Sequence, residues 1–129
     1  MGCLGAGLGG LGDLGGRRAP GRGRAGALRA RPSHAAPGGR VVSTWAYGDS
    51  VPGPILRATA GDRIQIAFTN DLPEATSVHW HGLAIRNDMD GVPGLTTPEV
   101  STSGEFAFDF VVPDPGTHWF HPHSGLQLD

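Results

Sequence analysis

Two short segments hold five of the six histidines of this chain: His79-Trp80-His81-Gly82 and His118-Trp119-Phe120-His121-Pro122-His123-Ser124. Each contains a His-x-His pair. On an extended strand, residues two apart project from the same face, so each pair aims two imidazoles at one point. Imidazole nitrogen is a borderline ligand that suits copper, zinc, iron or nickel. Four such rings on two strands make a candidate metal site. Packing alone explains them poorly, because four same-facing imidazoles leave many polar nitrogens to satisfy.

Several scaffolds use strand-borne histidine pairs. A cupin follows its pair with a glutamate a few residues on, and here Ala84, Ile85 and Arg86 fill that space. A carbonic-anhydrase-like zinc site needs three histidines in a larger protein, and an amidohydrolase barrel needs a much longer chain. A structural zinc site draws on cysteines. The only cysteine is Cys3, which also excludes an internal disulfide. The neighbouring residues carry blander expectations. His118 reads as a non-ligand near a strand start, His34 has no evident role, and Trp80 and Trp119 read as core or cluster-packing aromatics.

The elements that must carry these rings are strands. Val41–Tyr47 reads as a first strand, and Gly48–Pro54 is turn chemistry with two prolines around a glycine. Ile55–Thr59 is extended, and Gly61-Asp62 turns the chain into Arg63–Phe68, which alternates apolar and polar residues as a half-buried strand does. The spacing predicts a strand over 77–84, with Val78 and Trp80 on one side and His79 and His81 on the other. Residues 87–104 read as a long Gly/Pro/Ser/Thr-rich loop, a type more often functional than idle. Phe106, Phe108 and Phe110 alternate as core residues of a further strand, and Thr117–His123 forms the last. Short strands with turns between them predict an all-β sandwich or Greek-key barrel, and no helix of normal length is expected.

Residues 1–40 differ in kind. They hold 13 of the 22 glycines, seven of the ten arginines and one acid, Asp13, for a charge of +6, while residues 41–129 carry −8. All nine aromatics lie beyond residue 44. Such a segment predicts a disordered low-complexity arm, because glycine raises the cost of ordering and bulky apolar residues are few. The domain is therefore expected over 41–129. The arm lacks interleaved aromatics and the remainder is acidic, so nucleic acid is not an expected partner. The Leu/Gly/Ala stretch precedes Arg17 and Arg18, the reverse of a secretory signal, and Ala6 stands where myristoylation prefers Ser or Thr. No apolar run reaches the length of a membrane span.

The two histidine segments resemble the first two histidine motifs of the multicopper oxidases, the laccase-like and cuprous-oxidase-like enzymes. The resemblance covers residues 44–129 and takes in Tyr47–Pro54, Ala60-Gly61-Asp62-Arg63, Asp90-Gly91-Val92-Pro93 and Pro115–Trp119. It implies a cupredoxin (plastocyanin-like) domain, Greek-key in topology. It also implies half of the ligands of a trinuclear copper cluster, with His79 on the type 2 copper, His81 and His121 on one type 3 copper, and His123 on the other. Asp90 matches an acidic residue that the family uses near the cluster to assist proton delivery. Its bland alternative is a turn aspartate.

The resemblance further implies dioxygen and a reducing substrate (a phenol, an amine or a metal ion) as reactants. A second cupredoxin domain or subunit would complete the cluster, and export to the periplasm or cell exterior is implied. Two family features are absent: the His-Cys-His motif of the blue type 1 site, and the partner histidine pairs. The expectation is an N-terminal domain that stops at Asp129 before its final strands. The alternative is a non-catalytic copper-binding or interaction fragment without oxidase turnover.

Overall fold

The alternation over 63–68 and 106–110 produces two strands that lie side by side and turn one face inward. In the computed structural model, which describes residues 2–7 and 21–128, eight strands form: β1 (Gly2–Gly7), β2 (Gly23–Ala35), β3 (Val42–Tyr47), β4 (Ile55–Thr59), β5 (Arg63–Asn70), β6 (His79–His81), β7 (Glu105–Val111) and β8 (Gly116–His121). Ile64, Ile66 and Phe68 of β5 are buried, while Arg63, Gln65 and Ala67 between them are exposed. In β7, Phe108 and Phe110 are buried beside them, joined through an antiparallel register that sets Ile66 opposite Phe108.

The strands make two four-stranded sheets, in the orders β4-β1-β8-β6 and β3-β2-β5-β7. Most sheet neighbours are not consecutive in sequence, so the chain crosses between sheets as a Greek-key sandwich does. Trp80 of β6 joins the layers. Its ring lies 5.3 Å from Phe108 and 5.1 Å from Phe110 in the facing sheet, and 5.2 Å from Phe120 in its own. Tyr47 of β3 reaches Phe120 at 5.5 Å from the other end of the core. No α-helix occurs among the described residues; short 3-10 turns lie at Pro37–Gly39, Asn87–Met89 and Gly125–Leu128.

The strands expected from residue 41 onward are present, with two shortened. The segment expected over 77–84 pairs only at 79–81, because the Leu83 N–H turns back to the Trp80 carbonyl at 3.3 Å. The last strand stops at His121, immediately before Pro122. The loop over 87–104 is well organised. The Val92 carbonyl accepts the N–H groups of Leu95, Thr96 and Thr97, and Thr76 and Val100 form an isolated antiparallel bridge.

The arm expected over 1–40 is corrected by the structure. Residues 8–20 lie outside the described residues, but 2–7 and 23–35 are strands in the middle of the two sheets. β2 pairs in parallel with β5 along Gly23–Ala30, then antiparallel with β3 along Ala30–Ala35. β1 lies between β4 and β8, with the Cys3 backbone opposite Ile55 and Trp119. Composition misleads here because β2 needs few apolar residues: only Leu28 and Ala30 enter the core, and its other face is solvated.

The arginines of that segment meet the acids of the rest of the chain. Arg24 pairs with Asp62 at 2.6 Å, Arg31 with Asp49 at 2.7 Å, and Arg29 with Asp71. The opposite charges of the two halves are therefore partly joined in cross-strand ion pairs. Gly21 explains one glycine, because a Cβ there would stand 1.7 Å from the Gly61 carbonyl oxygen. Pro32 falls in the part of β2 already past its last pairing with β5, where a missing donor is tolerated.

Candidate metal centre

β6 and β8 pair antiparallel with His79 opposite His121, Trp80 opposite Phe120 and His81 opposite Trp119. Trp80 and Phe120 are fully buried, so this register turns His79, His81, Trp119 and His121 together to the other face. The alternation of β8 puts His118 on the face opposite Trp119 and His121, as expected for a non-ligand. His34 pairs opposite Ser43 in the second sheet and is not among the three histidines whose nitrogens group together.

The rings of His81 and His121 lie 5.3 Å apart, and both stand about the same distance from His79, at 5.5 and 5.3 Å. One ligand nitrogen from each of His79, His81 and His121 falls within a 4.8 Å group. The closest approach is His81 Nδ1 to His121 Nε2, at 3.1 Å. Two nitrogens bound to one ion at about 2.05 Å stand about 3.0–3.4 Å apart for bond angles of about 95–110°, so this spacing fits a shared ion. His123 stands at the margin, exposed, with its ring 5.7 Å from that of His79 and 6.0 Å from that of His121.

Backbone carbonyls fix which nitrogen faces the site. His79 Nδ1–H donates to the Asp90 carbonyl at 2.8 Å, and His121 Nδ1–H donates to the Pro122 carbonyl at 2.7 Å, so each neutral ring presents Nε2. Burial pushes the His121 imidazolium below its ordinary range, and the nearby rings of His79, His81 and His123 add to the effect against the opposing Pro122 carbonyl. A neutral ring is the form a metal needs. The indole of Trp119 stacks on His121 at 4.2 Å and 22° and on His81 at 4.7 Å and 30°. Trp80 is core and Trp119 packs the cluster, each in one of the two expected settings.

Asp90 contributes through its backbone first. Its carbonyl accepts both His79 Nδ1–H and the Trp80 N–H, the latter at 3.2 Å. Its carboxylate Oδ1 lies 3.6 Å from His79 Nδ1, and the Thr96 hydroxyl approaches Oδ2 at 3.4 Å. Gly91 allows that close approach: at φ +87°, a Cβ there would meet the Val78 carbonyl oxygen at 1.7 Å. Reasoning from motifs missed the backbone donors and acceptors, which sequence spacing does not encode.

The sequence profile described as "Multicopper oxidase" matches residues 29–128, most of the chain. The chain belongs to the multicopper oxidase family. It is 52% identical over 102 residues to the multicopper oxidase MmcO of Mycobacterium tuberculosis, covering 79% of this chain and 20% of that protein. It is 46% identical over 77 residues to copper resistance protein A of Escherichia coli, covering 60% of this chain and 13% of that protein.

Among solved structures, the laccase from Botrytis aclada superposes with a TM-score of 0.78 at 36% identity, over 84% of this chain and 21% of that one. The chain thus spans a fifth or less of the length of the mycobacterial and E. coli relatives. Its cupredoxin-like fold, its oxidoreductase family and a histidine group able to hold a metal are established at this point. No helix among the described residues is long and apolar enough to cross a membrane, which says nothing of β-barrels.

Proposed function

We propose that this chain is a copper-binding module of a multicopper oxidase that supplies half of the histidine ligands of a trinuclear cluster. The observation that carries the reading is the nitrogen pair of His81 Nδ1 and His121 Nε2 at 3.1 Å, with His79 beside it. In this reading His79 holds the type 2 copper, His81 and His121 share one type 3 copper, and His123 serves the other. When bound, the coppers supply the electrons that take dioxygen to water, drawn from a phenol, an amine or a metal ion.

This chain's own residues orient and shield that chemistry. Asp90 and Pro122 hold Nδ1–H groups so that His79 and His121 present Nε2. Trp119 covers the His81 and His121 rings on one side. The Asp90 carboxylate is partly open to water and lies beside His79, with Oδ1 3.6 Å from Nδ1, a position suited to passing protons from solvent toward the cluster. A second cupredoxin domain or subunit supplies the remaining ligands. An apolar cleft of about 660 Å³ bounded by Trp45, Tyr47, Leu72, Trp119 and His121 adjoins the site and suits such a neighbour. The family resemblance also supports export to the periplasm or cell exterior as part of this reading.

A second reading, a copper-binding fragment without turnover, is favoured by one observation: the single cysteine, Cys3, lies in no His-Cys-His motif. Copper titration tests the site that both readings share, and an oxidase assay tests turnover. The purified chain should take up Cu(II) without intense blue thiolate absorption, and H79A/H81A should lose the uptake. Unchanged stoichiometry in the double variant overturns the site. Turnover of a phenolic substrate by this chain alone overturns the need for a partner.

A further inference from the structure

Three of the four candidate ligands are held by the β6–β8 ladder, but His123 lies beyond it. Antiparallel register carried one same-face pair past His79 and His121 would set Ser77 opposite His123. The ladder stops short of that pair: β6 begins at His79 and β8 ends at His121. A side chain takes the place of the missing ladder bond: the His123 N–H donates to Ser77 Oγ at 2.8 Å, and the Ser124 hydroxyl donates to the same oxygen at 3.1 Å. Both serines are buried, 2% and 3% exposed.

Ser77 is itself anchored from the facing sheet. The buried Tyr47 hydroxyl donates to the Ser77 carbonyl at 2.6 Å, and burial raises the Tyr47 pKa far above its ordinary range, so it stays a donor. The serine is therefore fixed by β3 on one side and leads into β6 on the other. A displaced His123 cannot draw it along. We infer that the Ser77 hydroxyl is a positioning group that sets where His123 stands relative to His79, His81 and His121. The inference rests on the reading of His123 as a metal ligand, and it adds a residue outside both His-x-His motifs.

Ser77→Thr and Ser77→Val test it, because these side chains share a shape and differ in the hydroxyl. Zn(II), a diamagnetic probe that imidazole also binds, is titrated into the full chain while the imidazole carbon-bound protons are followed by NMR, with H121A and H123A as assignments. In S77T all rings should respond as in the parent. In S77V, His81 and His121 should respond at unchanged metal, and His123 should need roughly tenfold more, the usual scale for a lost outer-sphere bond.

Equal weakening at all rings in S77V marks a merely structural role and overturns the inference, as does an unchanged His123. If His123 of the parent ignores the metal while the other rings respond, the ligand reading fails instead. Amide hydrogen exchange at His123 in the parent reports the Ser77 bond separately and decides the matter if neither variant folds. Protection matching the β6–β8 ladder supports it, and exchange at the rate of an exposed loop overturns it.

Discussion

His81 Nδ1 and His121 Nε2 face each other at 3.1 Å beneath the indole of Trp119. With His121 Nδ1–H committed to the Pro122 carbonyl, the neutral His121 ring accepts at Nε2 and His81 Nδ1–H donates to it. An ion held by both nitrogens would replace that hydrogen bond, with the His81 proton moving from Nδ1 to the Nε2 of the same ring.

Trp119 should report that event. A Cu(II) ion held by His81 and His121 sits within contact range of its indole, so titration should quench its emission. W119F should lose most of the copper-dependent fluorescence change while W45F keeps it. Quenching in W119F as large as in the parent would place the ion away from this indole.

Acid should weaken the fold through Asp62. Arg24 beside it, helped by the N–H groups of Thr59 and Arg22, lowers its pKa from 3.8 to about 2. A carboxyl depressed in the folded state stabilises above its unfolded pKa, and that contribution drains away as pH falls toward the folded value. Asp109 moves in the same direction because of Arg63. Urea midpoints measured from about pH 5 to pH 2 should fall steeply in the parent and less steeply in D62N. Parallel curves would remove the Arg24–Asp62 pair from the account.

A chain beginning at Val41 should not fold. Deleting residues 1–40 removes β1 from between β4 and β8 and β2 from between β3 and β5, and with β2 go Leu28 and Ala30 from the core. Four inner strand edges lose their partners. Circular dichroism should show no cooperative thermal transition for the shortened chain. A sharp transition near that of the parent would mean that the two strands are dispensable.

Gly91 should resist any side chain. G91A faces both the left-handed backbone and the Val78 carbonyl oxygen, and should cost about 3 kcal/mol or more in denaturant unfolding. Gly94 has φ +74° but open space around it, so G94A should cost only about 1 kcal/mol. Equal costs would show that the close approach under Asp90 is not tight.

Much of the site could be read from residue order. Period two puts His79 and His81 on one face and Val78 and Trp80 on the other wherever that segment is extended, and the structure keeps this division. The same rule made cores of Ile64, Ile66, Phe68, Phe108 and Phe110. Composition failed where long-range pairing supplies the stability. β2 is short of large apolar residues, yet its backbone bonds come from β3 and β5 and its arginines meet Asp49, Asp62 and Asp71.

The linear chain thus contained the donor atoms, their alternation and the turns that bound the strands from residue 41 onward, since these depend on neighbours one to four residues away. It left open which strands would lie side by side and in what register. Those choices bring His79 opposite His121, lay Trp119 over the His81 imidazole and bring Ser77 to His123. Each joins residues about forty or more positions apart, and only simultaneous burial of both inner faces and satisfaction of the backbone groups selects among such pairings.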